Sequence, residues 1–97
     1  MTKIINWKTQ ETIIEDKNLS IKELVEKAVI NGISLVYADL REANLCGADL
    51  HYAFLRRADL RDTDLTSADM RSADIRGAKI NQDQMHDLLK ALGVKII

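Results

Sequence analysis

The stretch Tyr37-Ala38-Asp39-Leu40-Arg41, Glu42-Ala43-Asn44-Leu45-Cys46, Gly47-Ala48-Asp49-Leu50-His51 opens a run that continues in fives: YAFLR (52–56), RADLR (57–61), DTDLT (62–66), SADMR (67–71), SADIR (72–76) and GAKI (77–80). A large aliphatic residue holds the fourth place of every block: Leu40, Leu45, Leu50, Leu55, Leu60, Leu65, Met70, Ile75 and Ile80. Two residues before each centre stands alanine, or threonine at Thr63. A step of five turns an α-helix by about 500° and leaves successive leucines roughly 140° apart, while a strand alternates with period two. Neither element explains the spacing. The period belongs to a repeat architecture, whose units bury their apolar faces only against one another.

The physical reading is a square coil, one block to a wall. Each block turns its large aliphatic and its alanine inward and its other three residues outward. Alanine is required because the large residues already fill the axis, and a second bulky side chain would overpack it. Asp, Asn and Gly between the centres suit corner turns. Propensity alone would make these residues helical, but stacking decides where the backbone hydrogen bonds go.

The runs Ala38-Asp39-Leu40-Arg41, Ala58-Asp59-Leu60-Arg61 and Ala73-Asp74-Ile75-Arg76 resemble the A(D/N)LXX signature of the pentapeptide-repeat family. That resemblance implies a right-handed quadrilateral β-helix with four pentapeptides per coil, an all-β solenoid core of about two coils closed by capping helices. Residues twenty apart would then stack at about 4.8 Å: Leu40 beneath Leu60 and Ile80, Leu45 beneath Leu65, Leu50 beneath Met70, Leu55 beneath Ile75. Phe54 and Lys79 depart from the pattern where it has Asp or Asn, and Thr63 where it has Ala.

The flanks read as caps on one domain of 97 residues. Residues 1–19 form an N-terminal segment in which Ile4-Ile5-Asn6-Trp7 and Thr12-Ile13-Ile14-Glu15 suggest a hairpin. Residues 20–35 contain a capping helix and a lead-in: Ser20 and Glu23 form a capping box, Ile21, Leu24, Val25, Ala28 and Val29 make one apolar stripe, and Gly32 ends it. Residues 36–80 are the repeats. Residues 81–97 contain a second helix, with a capping box of Asn81 and Gln84 and a stripe of Met85, Leu88, Leu89 and Leu92, then a tail.

Charge is balanced, with a formal net of −1 and no polybasic or acidic segment. A single cysteine, Cys46, leaves no internal disulfide or CxxC pair. The first residues lack an apolar leader core and no stretch reaches the ~20 apolar residues of a membrane span, so a cytoplasmic location is expected. His51, His86 and Cys46 are separated in sequence with no orienting third group, so no catalytic residues, no metal and no cofactor are expected, and the chain reads as no enzyme. Nucleic acid would want a net basic face interleaved with stacking aromatics, and the sequence has neither.

What remains is surface. Tyr52 and Phe54 point outward near one corner, and Arg56 stacks beside Arg76, a candidate interaction surface; the arginines are otherwise expected to pair with acids two residues before them. The expected function is a structural or interaction module presenting flat solenoid faces to a protein partner. The alternative implied by the resemblance is a DNA-mimicking protein that binds a topoisomerase, DNA gyrase. The repeats argue against it, with eight acids against seven bases over a short rod. Leu92, Val94, Ile96 and Ile97 are candidate contacts for a homodimer through the C-terminal end.

Overall fold

The computed structural model describes residues 1–95. Its organising event is a tight turn repeated every five residues. The N–H three residues beyond each centre donates to that centre's carbonyl, from Ala38 to Leu35 at 3.0 Å through Ala78 to Ile75 at 2.9 Å. The third residue of every such turn is left-handed: Tyr37, Glu42, Gly47, Tyr52, Arg57, Asp62, Ser67, Ser72 and Gly77, with φ between 59° and 72°. That combination belongs to type II turns, and it bends the chain sharply at each block.

Between turns, one residue per block pairs in parallel with its counterpart twenty positions on: Asp39 with Asp59, Asn44 with Asp64, Asp49 with Asp69, Phe54 with Asp74, Asp59 with Lys79. The N–H groups of Leu40, Leu45, Leu50, Leu55 and Leu60 donate to the carbonyls of Asp59, Asp64, Asp69, Asp74 and Lys79, all within 3.0 Å. The chain therefore passes over itself every twenty residues, a β-helix-type path. Each wall offers a single bridging residue, too little for a regular strand. The expected all-β core accordingly contains isolated bridges, and among the described residues the one regular sheet is the N-terminal hairpin.

The large residues from Leu40 to Met70 are buried with their alanines, and Ile75 and Ile80 pack half-buried at the upper end. Thr63 is accommodated because its hydroxyl, though buried, donates to the carbonyl of Leu40 at 3.0 Å. Leu35, expected only to lead into the stack, is already part of it. Its side chain is fully buried and its N–H donates to the carbonyl of Phe54, the bond that Leu40, Leu45, Leu50, Leu55 and Leu60 also make. Ile33 takes the place of the missing alanine.

Two elements close the lower end. Strands β1 (Thr2–Ile5) and β2 (Thr12–Asp16) form the expected antiparallel hairpin. It lies along the first wall: Asn6 bridges Ala38, Asp39 N–H donates to Ile5, and Trp7 N–H donates to Tyr37. Helix α1 (Ile21–Ile30) begins at the Ser20/Glu23 capping box and buries Leu24, Val25 and Ala28. At its end the N–H groups of Gly32 and Ile33 reach back to Val29 and Ala28, a Schellman motif with Gly32 left-handed.

The upper end is closed differently from expectation. A short 3₁₀ turn (Gln82–Gln84) precedes helix α2 (Met85–Ala91); of the stripe read from sequence Leu88 is buried and Leu89 and Leu92 are half-buried, while Gln84 and Ala91 are buried in addition and Met85 is exposed. Met85 is 45% exposed, whereas Gln84 is 8% exposed. The reason is polar. Gln84 accepts from the N–H of Asn81 and donates to the carbonyls of Leu60 and Thr63 at 2.7 and 3.0 Å, capping backbone acceptors that a thioether could not. Farther along, Met70 N–H donates to Ala91, so α2 replaces the next layer of backbone over part of the stack.

Candidate functional site

The outer surface is organised by the acid or amide just before each centre. Its side-chain oxygen accepts the N–H two residues on: Asp39 from Arg41, Asn44 from Cys46, Asp49 from His51, Asp59 from Arg61, Asp64 from Thr66, Asp69 from Arg71 and Asp74 from Arg76. These Asx turns satisfy backbone donors that the bridges leave over, which explains why the position favours Asp and Asn. Where an arginine follows, the same carboxylate also takes its guanidinium through two bonds, as Arg71 binds Asp69 at 2.9 and 2.8 Å.

At three of these acids the contacts hold the carboxyl below the usual carboxylate range. The Arg41 guanidinium lowers Asp39, Arg61 lowers Asp59, and Arg71 holds Asp69 down at about 2. Asp59 differs from the rest. It bridges Asp39 below and Lys79 above, is only 3% exposed, and has Arg41 at 3.7 Å in addition to Arg61 at 2.6 Å.

The predicted surface of Tyr52, Phe54, Arg56 and Arg76 gathers on neighbouring parts of two passes. Tyr52 is 68% exposed and Phe54 54%. Phe54 occupies the acid's place, so Arg56 has no carboxylate two residues before it. It turns to Asp74, which Arg76 binds at the same time. The two arginines therefore share one acid, and no free ladder of cations forms between them. Tyr52 stands edge-on to His51, their ring centres 5.3 Å apart.

Cys46 is exposed. His51 and the carboxylates of Asp49 and Asp69 bring one donor atom each within 4.8 Å of one another, a grouping that sequence separation concealed. Asp69 already gives both oxygens to Arg71, so a cation there would have to displace a guanidinium. Leu92 is half-buried against the core and Val94 is 48% exposed; Ile96 and Ile97 lie outside the described residues. One arrangement escaped the sequence reading: the hairpin carries Trp7 against Tyr37, ring centres 5.2 Å apart, amid Lys8, Arg57 and Lys79. Among the described residues no helix is long and apolar enough to cross a membrane.

A chain that turns every five residues and bridges residues twenty apart is a repeat scaffold of β-helix type. A family model for pentapeptide repeats matches residues 27–62 and 53–82, with 8 copies, more than half of the chain. The chain belongs to the pentapeptide-repeat family. Comparison with curated proteins gave no match.

Proposed function

We propose that this chain is a non-enzymatic, cytoplasmic interaction module. Its repeats form a right-handed quadrilateral β-helix of about two coils that presents flat faces to a protein partner. The observation that carries the reading is the exposed pair Tyr52 and Phe54, set into a surface otherwise built from Asx turns and ion pairs. Large exposed aromatics surrounded by polar groups suit an interface anchor. Phe54 has also displaced the acid that would have served Arg56.

The test is capture from the native cell with the wild-type chain and with Phe54→Asp, which restores the repeat pattern and so keeps the scaffold. A partner held by the wild type and lost by the variant supports the reading; equal capture by both sinks it. The gyrase-binding alternative has little support, because the arginines neutralise the carboxylates that a DNA mimic would need to display. A supercoiling assay checks it, and inhibition at low micromolar protein would reverse the preference.

Self-association through Leu92, Val94, Ile96 and Ile97 belongs to the same proposal. Support comes from Val94, an exposed apolar side chain just past α2. Sedimentation should find a dimer that becomes a monomer when residues 94–97 are removed; a full-length monomer at high micromolar concentration would end this part of the proposal.

A further inference from the structure

Five of the six arginines have a carboxylate within 4.0 Å, and Arg57 has none among the described residues. Its neighbours at the corner are unpaired in the same way. Lys79 stands where the repeat pattern has Asp or Asn, and its ammonium lies 4.2 Å from the Trp7 ring centre. Lys8 sits 5.0 Å from the centre of Tyr37, and the Arg57 guanidinium 5.8 Å from the same ring. Three cations thus converge with no acid partner on a chain whose other arginines each touch a carboxylate.

The corner is also built, and not merely crowded. Trp7 Nε1 donates to the carbonyl of Arg57 at 2.8 Å, joining the hairpin to the second pass of the chain. Gly77 stacks over Arg57, and a Cβ there would come within 3.0 Å of the arginine's Cγ, so the third pass leaves room for that side chain. Aromatic faces hold cations by electrostatic attraction, which restricts these long side chains without neutralising them. Pre-positioned, uncompensated charge is the form of a recognition surface for an anion.

We propose that the Trp7/Tyr37 corner, through Lys8, Arg57 and Lys79, docks an acidic segment of the protein partner. The proposal rests on the reading of the chain as a protein-binding module and names the partner's chemistry. An acidic peptide fits better than a nucleic acid strand because the rings already carry the protein's own cations, leaving little open face for a base to stack upon. The complementary partner surface is a short run of Asp or Glu, bound by exposed ion pairs and weakened by salt.

Trp7 is the sole tryptophan, so its fluorescence reports on this corner directly. The full chain is titrated with a short oligo-aspartate peptide and, separately, with an oligothymidylate of equal charge, at low and at raised salt. The expected result is a saturable, salt-sensitive change in emission with the peptide. Lys79→Asp combined with Arg57→Gln should weaken it by about tenfold, at up to about fivefold per exposed cation, while Arg71→Gln on another wall leaves it unchanged. Lys8→Gln, which alters only the hairpin, should weaken binding several-fold and serves if the double variant fails to fold. No saturable change, equal binding by Lys8→Gln and wild type, or tighter binding of the oligothymidylate would overturn the assignment. A partner lost with Phe54→Asp but indifferent to Lys79→Asp would overturn this site alone and leave the protein-binding reading standing.

Discussion

The two ends of the stack are closed unequally. At the lower end Leu35, Leu40, Leu45, Leu50 and Leu55 are all buried beneath a hairpin and a ten-residue helix. At the upper end Leu60, Leu65 and Met70 are buried, but Ile75 and Ile80 remain half-exposed. Helix α2 has seven residues, a span of about 10 Å, and it lies across the walls of Thr63 to Met70. Both helices end in Schellman motifs, so capping chemistry does not distinguish the ends. Covered area does: an end wall is sealed only where an element lies over it.

The largest effect should come from charging the middle of the stack. Leu60→Asp buries an unpaired carboxylate between Leu40 and Ile80, a cost on the order of several kcal/mol against a marginal total, and thermal melting should find no cooperative transition. The same column then measures the difference between the ends. Leu40→Ala, under the hairpin, should cost ~2–5 kcal/mol in denaturant unfolding, and Ile80→Ala about 1 kcal/mol. Equal losses at the two positions would mean that the upper end is as well sealed as the lower.

Gln84 sharpens the account of the upper seal. Gln84→Ala orphans the carbonyl of Thr63, leaves that of Leu60 with only the Thr63 N–H, and should cost ~1–3 kcal/mol; Met85→Ala, on the exposed side of α2, should cost well under ~1 kcal/mol. The reverse ranking would restore the stripe read from sequence.

Ion pairs should follow the same contrast between sandwiched and end positions. Arg71→Ala, at a partly exposed Asp69, should shift the unfolding midpoint little, because solvent screens the pair. Arg61→Ala should cost more than Arg71→Ala, because Asp59 is covered from both sides and would keep only the distant Arg41. The carboxylates also set an acid limit. Asp69 titrates at about 2 in the folded chain and at 3.8 ordinarily, so the unfolded state binds more protons between those values. Its stabilising contribution is present above pH 3.8 and is lost as pH falls toward 2, which urea unfolding at stepped pH checks.

The corners carry small effects of opposite sign. Gly47 and Ser67 occupy one corner on successive passes, with φ of 70° and 59°. Nothing lies within 4 Å of a Cβ built on Gly47, so Gly47→Ala should cost only the ~1 kcal/mol of left-handed strain, and Ser67→Gly should recover a similar amount. Opposite signs of the change in unfolding midpoint are the expected outcome.

Much of this was legible in the residues. The period of five, the inward alanines and the Ser20 cap follow from spacing and size, because a repeat states its own geometry many times over, while the twenty-residue stacking partners came from the resemblance to the family. Leu35 was legible too, five residues before Leu40, but it lacks the alanine and so fell outside the pattern. The place of Gln84 was not legible. Hydrophobicity favoured Met85, and only the carbonyls of Leu60 and Thr63, brought beneath it by the stack, give Gln84 its reason to turn inward.

The amino-acid sequence by itself determined the repeat, because local size and turn chemistry recur in every block. Tertiary structure alone decided which side chains meet across passes. Phe54 sends Arg56 to Asp74, Asp59 is buried between two neighbours, and Trp7 is delivered by the hairpin to Tyr37, Arg57 and Lys79. Such meetings depend on long-range closure of the stack, for which a window of five residues carries no signal.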